Sequence, residues 1–302
     1  MNRSGLPRPD RFGFLDRRLE ETFRIGDLME PTGVPEDDVG LRFYIEVLGL
    51  RHLHYGLWDS SDPMTLEGLR VAQERYLERL LSFIPDGARS VLDVGCGAGG
   101  NALALKERGY DVEGLSPDAS HGERFSAATG CPFHLERFED FRPERRFDLV
   151  FMSESAQYVP LAQLFPSIQS ALAPGGSVLS SDYFVLQRDD SYICRSGHVL
   201  DDFLAAAEAS GFKIEIEQDI TEQVAPSLDL ACGILEQYFI PSVRLALLRG
   251  AQKKPFWART LARFFGKKLR KVDQRLENLD SDLFREKKRY MIYRLRAGGA
   301  VG

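Results

Sequence analysis

Ser90-Val91-Leu92-Asp93-Val94-Gly95-Cys96-Gly97-Ala98-Gly99-Gly100, residues 90–100, is the stretch on which the fold turns. Its first half is a short run of branched residues that reads as a buried parallel strand. The run enters Gly95, Gly97, Gly99 and Gly100, and then NALALKERG (101–109), which has helical spacing and a stop at Gly109. A strand, a glycine-rich turn and a helix make the first unit of a nucleotide-binding α/β sheet. Glycines there permit positive φ and let the backbone approach a ligand with no Cβ in the way. Taken alone, such a loop also occurs as a tight turn in unrelated α/β domains.

Composition narrows the class. The 302 residues are 43% hydrophobic and 28% charged, as in ordinary globular proteins. Cys96, Cys131, Cys194 and Cys232 have no paired spacing, which suggests a reducing compartment and neither a disulfide framework nor a zinc site. The N-terminus lacks the apolar core of a signal peptide, and no apolar run is long enough to span a bilayer. A cytoplasmic protein is expected. The net charge of −6 is uneven: from Lys253 onward fifteen Lys/Arg face five Asp/Glu.

Upstream of the loop, residues 1–40 form a polar extension and 41–84 a helical cap. FYIEVLG (43–49) and residues 66–84 have helical periodicity, with Leu69, Val71, Ala72, Tyr76, Leu77, Leu80 and Leu81 expected to face a core. Between them lies the aromatic, His-rich turn HLHYGLWD (52–59).

Downstream, YDVEGLSPD (110–118) reads as the second strand and its exit, where an acid in nucleotide-binding sheets holds the ribose hydroxyls. The residues available are Ser116 and Asp118. CPFHLERFEDF (131–141) supplies a third strand and a loop, and FDLVFMSESAQYVP (147–160) a fourth strand with a polar exit. Ligands of open parallel sheets bind beyond the carboxyl ends of the strands, so that exit faces the chemistry. A helix at 161–172, the turn Ala173-Pro174-Gly175-Gly176 and a strand at 177–184 follow. Then come a helix at 199–212, a strand at 213–220 and a last strand at 289–297, separated by a long insertion, 221–288, with helical patterns that suit a lid.

The acid Asp93 two residues before the first glycine, with Gly-Ala-Gly-Gly closing the loop, resembles motif I of the class I S-adenosylmethionine (SAM) methyltransferases. HLHYGLWD, MSESAQYVP and DITEQVAPSLD occur in an order similar to one branch of that family, and the likeness covers roughly residues 40–297. The branch includes tocopherol, coclaurine-type and sugar O-methyltransferases and, more distantly, sterol-methylating enzymes. The resemblance implies an α/β fold: a Rossmann-like seven-stranded sheet with an antiparallel final strand, plus the helical cap and helical lid. It divides the chain into 1–40, 41–84, a SAM-binding core at 85–220, the lid 221–288, and the final strand and tail 289–302. It implies SAM as cofactor, held by Asp93, Gly95, Cys96 and Gly97, with Ser116 and Asp118 at the ribose, Phe138 and Glu139 at the adenine, and Ser153 and Tyr55 alongside. Gln157 and Tyr158 stand where related enzymes often have Glu and His, so a mechanism through that His does not transfer. The Asn/Asp-Pro-Pro-Tyr string of enzymes that methylate nucleic-acid bases does not occur, and no nucleic-acid partner is expected.

A sulfonium methyl is already activated, and the protein needs mainly to align an acceptor and exclude water. No metal cluster is visible in the sequence. His54, Glu154, Tyr158 and His198 are the acid–base candidates, each also readable as an ordinary hydrogen-bonded side chain. Tyr44, Tyr55, Trp58, Tyr183, Tyr238 and Phe239 would line an apolar pocket if they converge, which suits a lipophilic small-molecule acceptor. KKPFWARTLARFFGKKLRKV (253–272) carries eight basic residues and no acid. On a helical wheel it has an apolar and a basic face, the pattern of a helix on an anionic membrane; a lid helix with a solvated basic face is the equal alternative. The expected activity is methyl transfer from SAM to a lipophilic small molecule. The alternatives are a methyltransferase-like protein that binds SAM without transfer, and a methyltransferase of a polar metabolite.

Overall fold

The computed structural model describes residues 47–239, 241, 242, 245, 248, 249 and 277–298. The extension 1–40, the start of the cap at 41–46 and the basic segment 253–272 lie outside the described residues, as do Tyr44 and the side chain of Phe239.

Seven strands form one sheet: β1 (Ser90–Val94), β2 (Asp111–Leu115), β3 (Phe133–His134), β4 (Phe147–Ser153), β5 (Leu172–Val185), β6 (Phe212–Asp219) and β7 (Lys288–Ala297). Their order is β3-β2-β1-β4-β5-β7-β6. The first five pair in parallel, and β7 inserts antiparallel between β5 and β6. Parallel neighbours require crossovers: α2 (Gly100–Glu107), α3 (Ala119–Thr129) and α4 (Leu161–Ala171) link β1 to β2, β2 to β3 and β4 to β5, and α5 (Leu200–Ala209) leads from β5 to β6. Helix α1 (Leu66–Leu81) precedes the sheet, and α6 (Thr221–Val224), α7 (Pro226–Ile234) and α8 (Ser281–Lys287) are the described ends of the insertion.

Alternation along the strands assigns the two faces of the sheet. Leu92 and Val94 of β1 join Val150, Phe184, Tyr293 and the helix residues Phe165 and Phe203 on one side. Val91, Phe151 and Tyr290 join Tyr76 of α1, Phe125 of α3 and Phe284 of α8 on the other. Helix α1 starts at an N-cap, Thr65, whose hydroxyl accepts the Gly68 amide. It buries Leu69, Ala72, Tyr76, Leu77 and Leu80. Val71 departs from expectation and is 48% exposed, because two residues from Leu69 is about 200° around the helix. Trp58 also goes to the core: its indole N–H donates to Ser227 Oγ (2.9 Å) and its ring packs with Leu69 and Ala72.

The Ala-Pro-Gly-Gly turn is absorbed into β5. Leu172 pairs with Phe147, the register then slips, and pairing resumes with Ser177 opposite Leu149. Pro174 has no N–H for the ladder, so the chain bulges there and continues as one strand. At the far edge, β6 exposes Lys213 and Glu215, which blunts the edge against pairing with another chain. Among the described residues, no helix is long and apolar enough to cross a membrane.

Candidate active site

The exits of β1, β2, β4 and β5 meet at one edge of the sheet. The Gly95 amide donates to Leu115 O (2.8 Å), joining the glycine loop to the end of β2. Ser155 Oγ donates to Val94 O (2.6 Å), joining it to the exit of β4. Gly95 has φ +73°, and a Cβ there would sit 2.4 Å from Ser155 Cβ. Gly95→Ala should therefore lose about 3 kcal/mol of unfolding free energy, from overpacking and left-handed strain together, measured by urea titration.

Gly97, φ +53°, is different. A Cβ there would meet only Leu53 Cδ1, at 3.5 Å. The cap turn thus lies over the loop, and a Cβ at Gly97 would touch it in ordinary contact. Beneath it Asp93 is buried, its Oδ2 has no hydrogen-bond partner, and burial pushes its pKa up to about 7. Cys96 is buried too, with its thiol pushed up by desolvation; its side chain faces the core beside Gly114.

Glu154 is the first residue after β4 and the one non-glycine residue with positive φ among those described, 56°. A left-handed non-glycine residue costs about 1–2 kcal/mol, so the surroundings must hold it. They do so through three hydrogen bonds. Its amide donates to Ser181 O (2.8 Å), and its Oε1 accepts the Tyr55 amide (2.8 Å) and the Tyr290 hydroxyl (2.6 Å). Tyr290 Oη lies 2.9 Å from Tyr76 Oη, which reaches Ser181 Oγ (2.8 Å) and Ser153 Oγ (3.2 Å). Each phenol has one proton: Tyr290 gives its own to Glu154, and Tyr76 gives its own to Ser181 Oγ. Desolvation pushes Glu154 up to about 7, with the Tyr290 and Tyr55 hydrogen bonds opposing it. Both donors take Oε1.

His54 does not reach Glu154 directly; the two meet through Tyr55. The imidazole Nδ1 donates to Tyr55 O (2.8 Å), the ring stacks on Tyr76 at 4.3 Å, and Nε2 is buried with no partner. Burial pushes it down to about 3, so it is neutral. Gln73 of α1 pins this turn by donating to His52 O (3.1 Å) and His54 O (2.7 Å). Tyr158 sits on a short 3-10 turn, Ala156–Tyr158, and is 75% exposed at the mouth of the site. The Gln157 amide of that turn is held by Asp182 Oδ2 (3.1 Å), a buried carboxyl pushed up to about 8 by desolvation. His198 Nε2 is 2.9 Å from Ala156 O, which braces the same turn.

The remaining residues fall further along the edge. Ser116 is buried, its Oγ 3.0 Å from His121 Nδ1. Asp118 caps α3, accepting the Ser120 amide and hydroxyl (2.8 and 2.7 Å). Phe138 is buried in the core with Leu92, Val94 and Phe141, and Glu139 pairs with Arg137 (2.7 Å). The side chain of Phe138 is thus turned inward. Of the expected aromatic wall, Tyr55 and Tyr183 gather with Tyr290 and Phe284, while Trp58 is in the core and Tyr238 is exposed. Sequence reasoning missed Tyr76 and Tyr290 as site residues; their strand and helix spacing marks them only as core.

A strand order with β7 reversed between β5 and β6, and a glycine loop after β1, define the class I methyltransferase fold. A methyltransferase-domain family model matches residues 68–215. The chain is 32% identical over 171 residues to a probable chloroplastic tocopherol O-methyltransferase of Oryza sativa subsp. japonica, covering 49% of this chain and 47% of that one. It is 33% identical over 109 residues to a trans-aconitate 2-methyltransferase of Escherichia coli O139:H28, covering 34% of this chain and 43% of that one. The chain thus spans about half the length of the curated relatives it matches. Among solved structures, geranyl diphosphate C-methyltransferase from Streptomyces coelicolor A3(2) superposes with TM-score 0.62 at 16% identity, over 86% of this chain and 92% of that one. The cyclase SpnF superposes with TM-score 0.60 at 16% identity, over 86% and 95%. Residues 68–215 match the methyltransferase-domain family, and the sheet has the fold of the class I SAM-dependent methyltransferases.

Proposed function

We propose that this protein transfers a methyl group from SAM to a small, lipophilic acceptor. The observation that carries the reading is the glycine loop at Gly97, approached only by Leu53 of the cap, together with the buried, unpartnered carboxyl oxygen of Asp93 on the same strand and loop. The residues fit the cofactor. An unpartnered buried carboxylate oxygen and a loop face without Cβ suit an amino-acid moiety with a donor group. Asp93, Gly95, Cys96 and Gly97 would hold that end, with Ser153 and Tyr55 alongside and Ser116 or Asp118 near the ribose. Glu139 is the candidate at the adenine, together with the backbone around Phe138. When bound, SAM supplies an electrophilic methyl on a sulfonium.

The chain's own residues then have two tasks. Tyr55, Tyr183, Tyr290 and Phe284 supply an aromatic wall that favours an apolar acceptor and excludes water. Glu154 Oε2 takes the proton that a hydroxyl, ammonium or carbon acceptor must lose, while Tyr290 and the Tyr55 amide fix Oε1. Tyr158 orients the acceptor at the mouth. Because SpnF, a cyclase, shares this fold, a SAM-binding protein without methyl transfer is the second reading. Incubation with methyl-labelled SAM and a panel of terpenoid, phenolic and lipid acceptors separates them. Label in an acceptor supports transfer; tight binding of S-adenosylhomocysteine with no labelled product across the panel favours the second.

The basic segment 253–272 adds a membrane-surface reading to this proposal, on sequence grounds alone. The protein should co-sediment with phosphatidylserine-containing vesicles at low salt and be released at high salt. Absence of sedimentation at low salt would reject it.

A further inference from the structure

Lys288 opens β7 at the site edge of the sheet and is buried, 3% exposed. Its Nζ is 3.3 Å from Ser196 Oγ and 3.9 Å from the centre of the Tyr183 ring. Among the described residues no acidic side chain forms an ion pair with it. An ammonium has three donors, and here one hydroxyl and a ring face answer them. Desolvation consequently pushes its pKa down to about 8. Burying a cation costs several kcal/mol unless it is paired, so a lysine held this way is poised for an anion.

The surroundings point the same way. The ammonium's hydroxyl partner Ser196 is exposed, and Tyr183 is half-buried. The Tyr183 hydroxyl donates to Ser196 Oγ (3.4 Å), which places a second hydroxyl at the same spot. The Arg188 guanidinium donates to Cys194 O and Gly197 O and braces the segment that presents Ser196. The nearby carboxylate of Asp182 is on the other face of β5, and its two oxygens already accept the Gln157 and Tyr183 amides. Lys288 and Tyr290 share a face of β7 two residues apart, about 7 Å. Tyr290 donates to Glu154, so this cluster is one strand step beyond the proposed base.

We propose that Lys288, Ser196 and Tyr183 form an oxyanion subsite that takes a carboxylate or phosphate group of the acceptor. The word acceptor rests on the methyl-transfer reading; the anion site does not. The acceptor then has an apolar body against the aromatic wall and an acidic group several bonds from the methylated atom.

The test is calorimetric titration of the full chain at low salt with inorganic pyrophosphate and, separately, with propionate. Saturable binding in the millimolar range is expected, and the probe that binds identifies phosphate or carboxylate. Lys288→Met should weaken that binding at least tenfold and Ser196→Ala about threefold, each keeping the wild-type affinity for S-adenosylhomocysteine as proof of an intact fold. Failure of both probes on the wild type, or equal binding by Lys288→Met, overturns the subsite. Loss of S-adenosylhomocysteine binding in the wild type itself overturns the methyltransferase reading and leaves the subsite standing.

Discussion

Arginine in place of Gly97 should abolish binding of S-adenosylhomocysteine, raising its dissociation constant at least a hundredfold, or about 2.7 kcal/mol. Two effects combine. The position has φ +53°, which any side chain tolerates poorly, at about 1 kcal/mol. More important, the space above it is bounded only by Leu53, so a long side chain occupies the gap between loop and cap that the ligand needs. The guanidinium also brings positive charge next to the place proposed for a sulfonium, so SAM itself should suffer more than its neutral-sulfur product. Stability should fall by only a few degrees in Tm, because nothing in the core is displaced. Gly97→Ala is the control: its Cβ at 3.5 Å is an ordinary contact, and its affinity loss should stay within tenfold. Retained binding by the arginine variant would remove the loop from the cofactor site.

Much of the fold was legible because its decisive signals are local. The strand, glycines and helix of residues 90–109 lie within one turn of each other, and their chemistry is written in residue type. The reversed last strand was legible as the apolar run Tyr290–Tyr293 near the end of the core, and the structure places it between β5 and β6. The site was less legible because its key contacts span the chain. Glu154 stood out at a strand exit, but its partner Tyr290 is 136 residues away and Tyr76 comes from a helix before the sheet. An inward tyrosine on a strand or helix looks like core until a second buried hydroxyl is placed against it. Trp58 shows the converse error. An aromatic in a cap turn invites a pocket role, yet the Ser227 hydroxyl answers its N–H and α1 covers its ring. Lys288 was hidden among the basic residues that end the chain; only strand pairing shows that it is the buried one.

Glu154→Gln should remove the pH dependence that this carboxyl gives to stability, and at least a hundredfold of kcat with it. The sign follows from the folded-state pKa. A carboxyl raised from its ordinary value of 4.5 to about 7 holds its proton more tightly folded than unfolded. Its contribution is therefore full below pH 4.5 and is lost as pH climbs through 7. For a half-buried group the loss should be about 1–3 kcal/mol. Asp93 and Asp182 are shifted the same way and keep their slope in the variant. Buried neutral His54 acts oppositely, costing stability as pH falls below its ordinary 6.5. The measurement is thus the difference between wild type and Glu154→Gln, from urea titrations between pH 5 and 8. That difference should drift in favour of the variant with rising pH; parallel curves would mean that Glu154 is not the raised group. Because glutamine keeps an oxygen for Tyr290 and the Tyr55 amide, the cap should stay docked and S-adenosylhomocysteine affinity should hold within threefold. A general base contributes about 10²–10⁴ in rate, so methyl transfer should fall by that factor. If the pH slope disappears and transfer persists, Glu154 acts as the clamp between cap and sheet, and the proton leaves by another route.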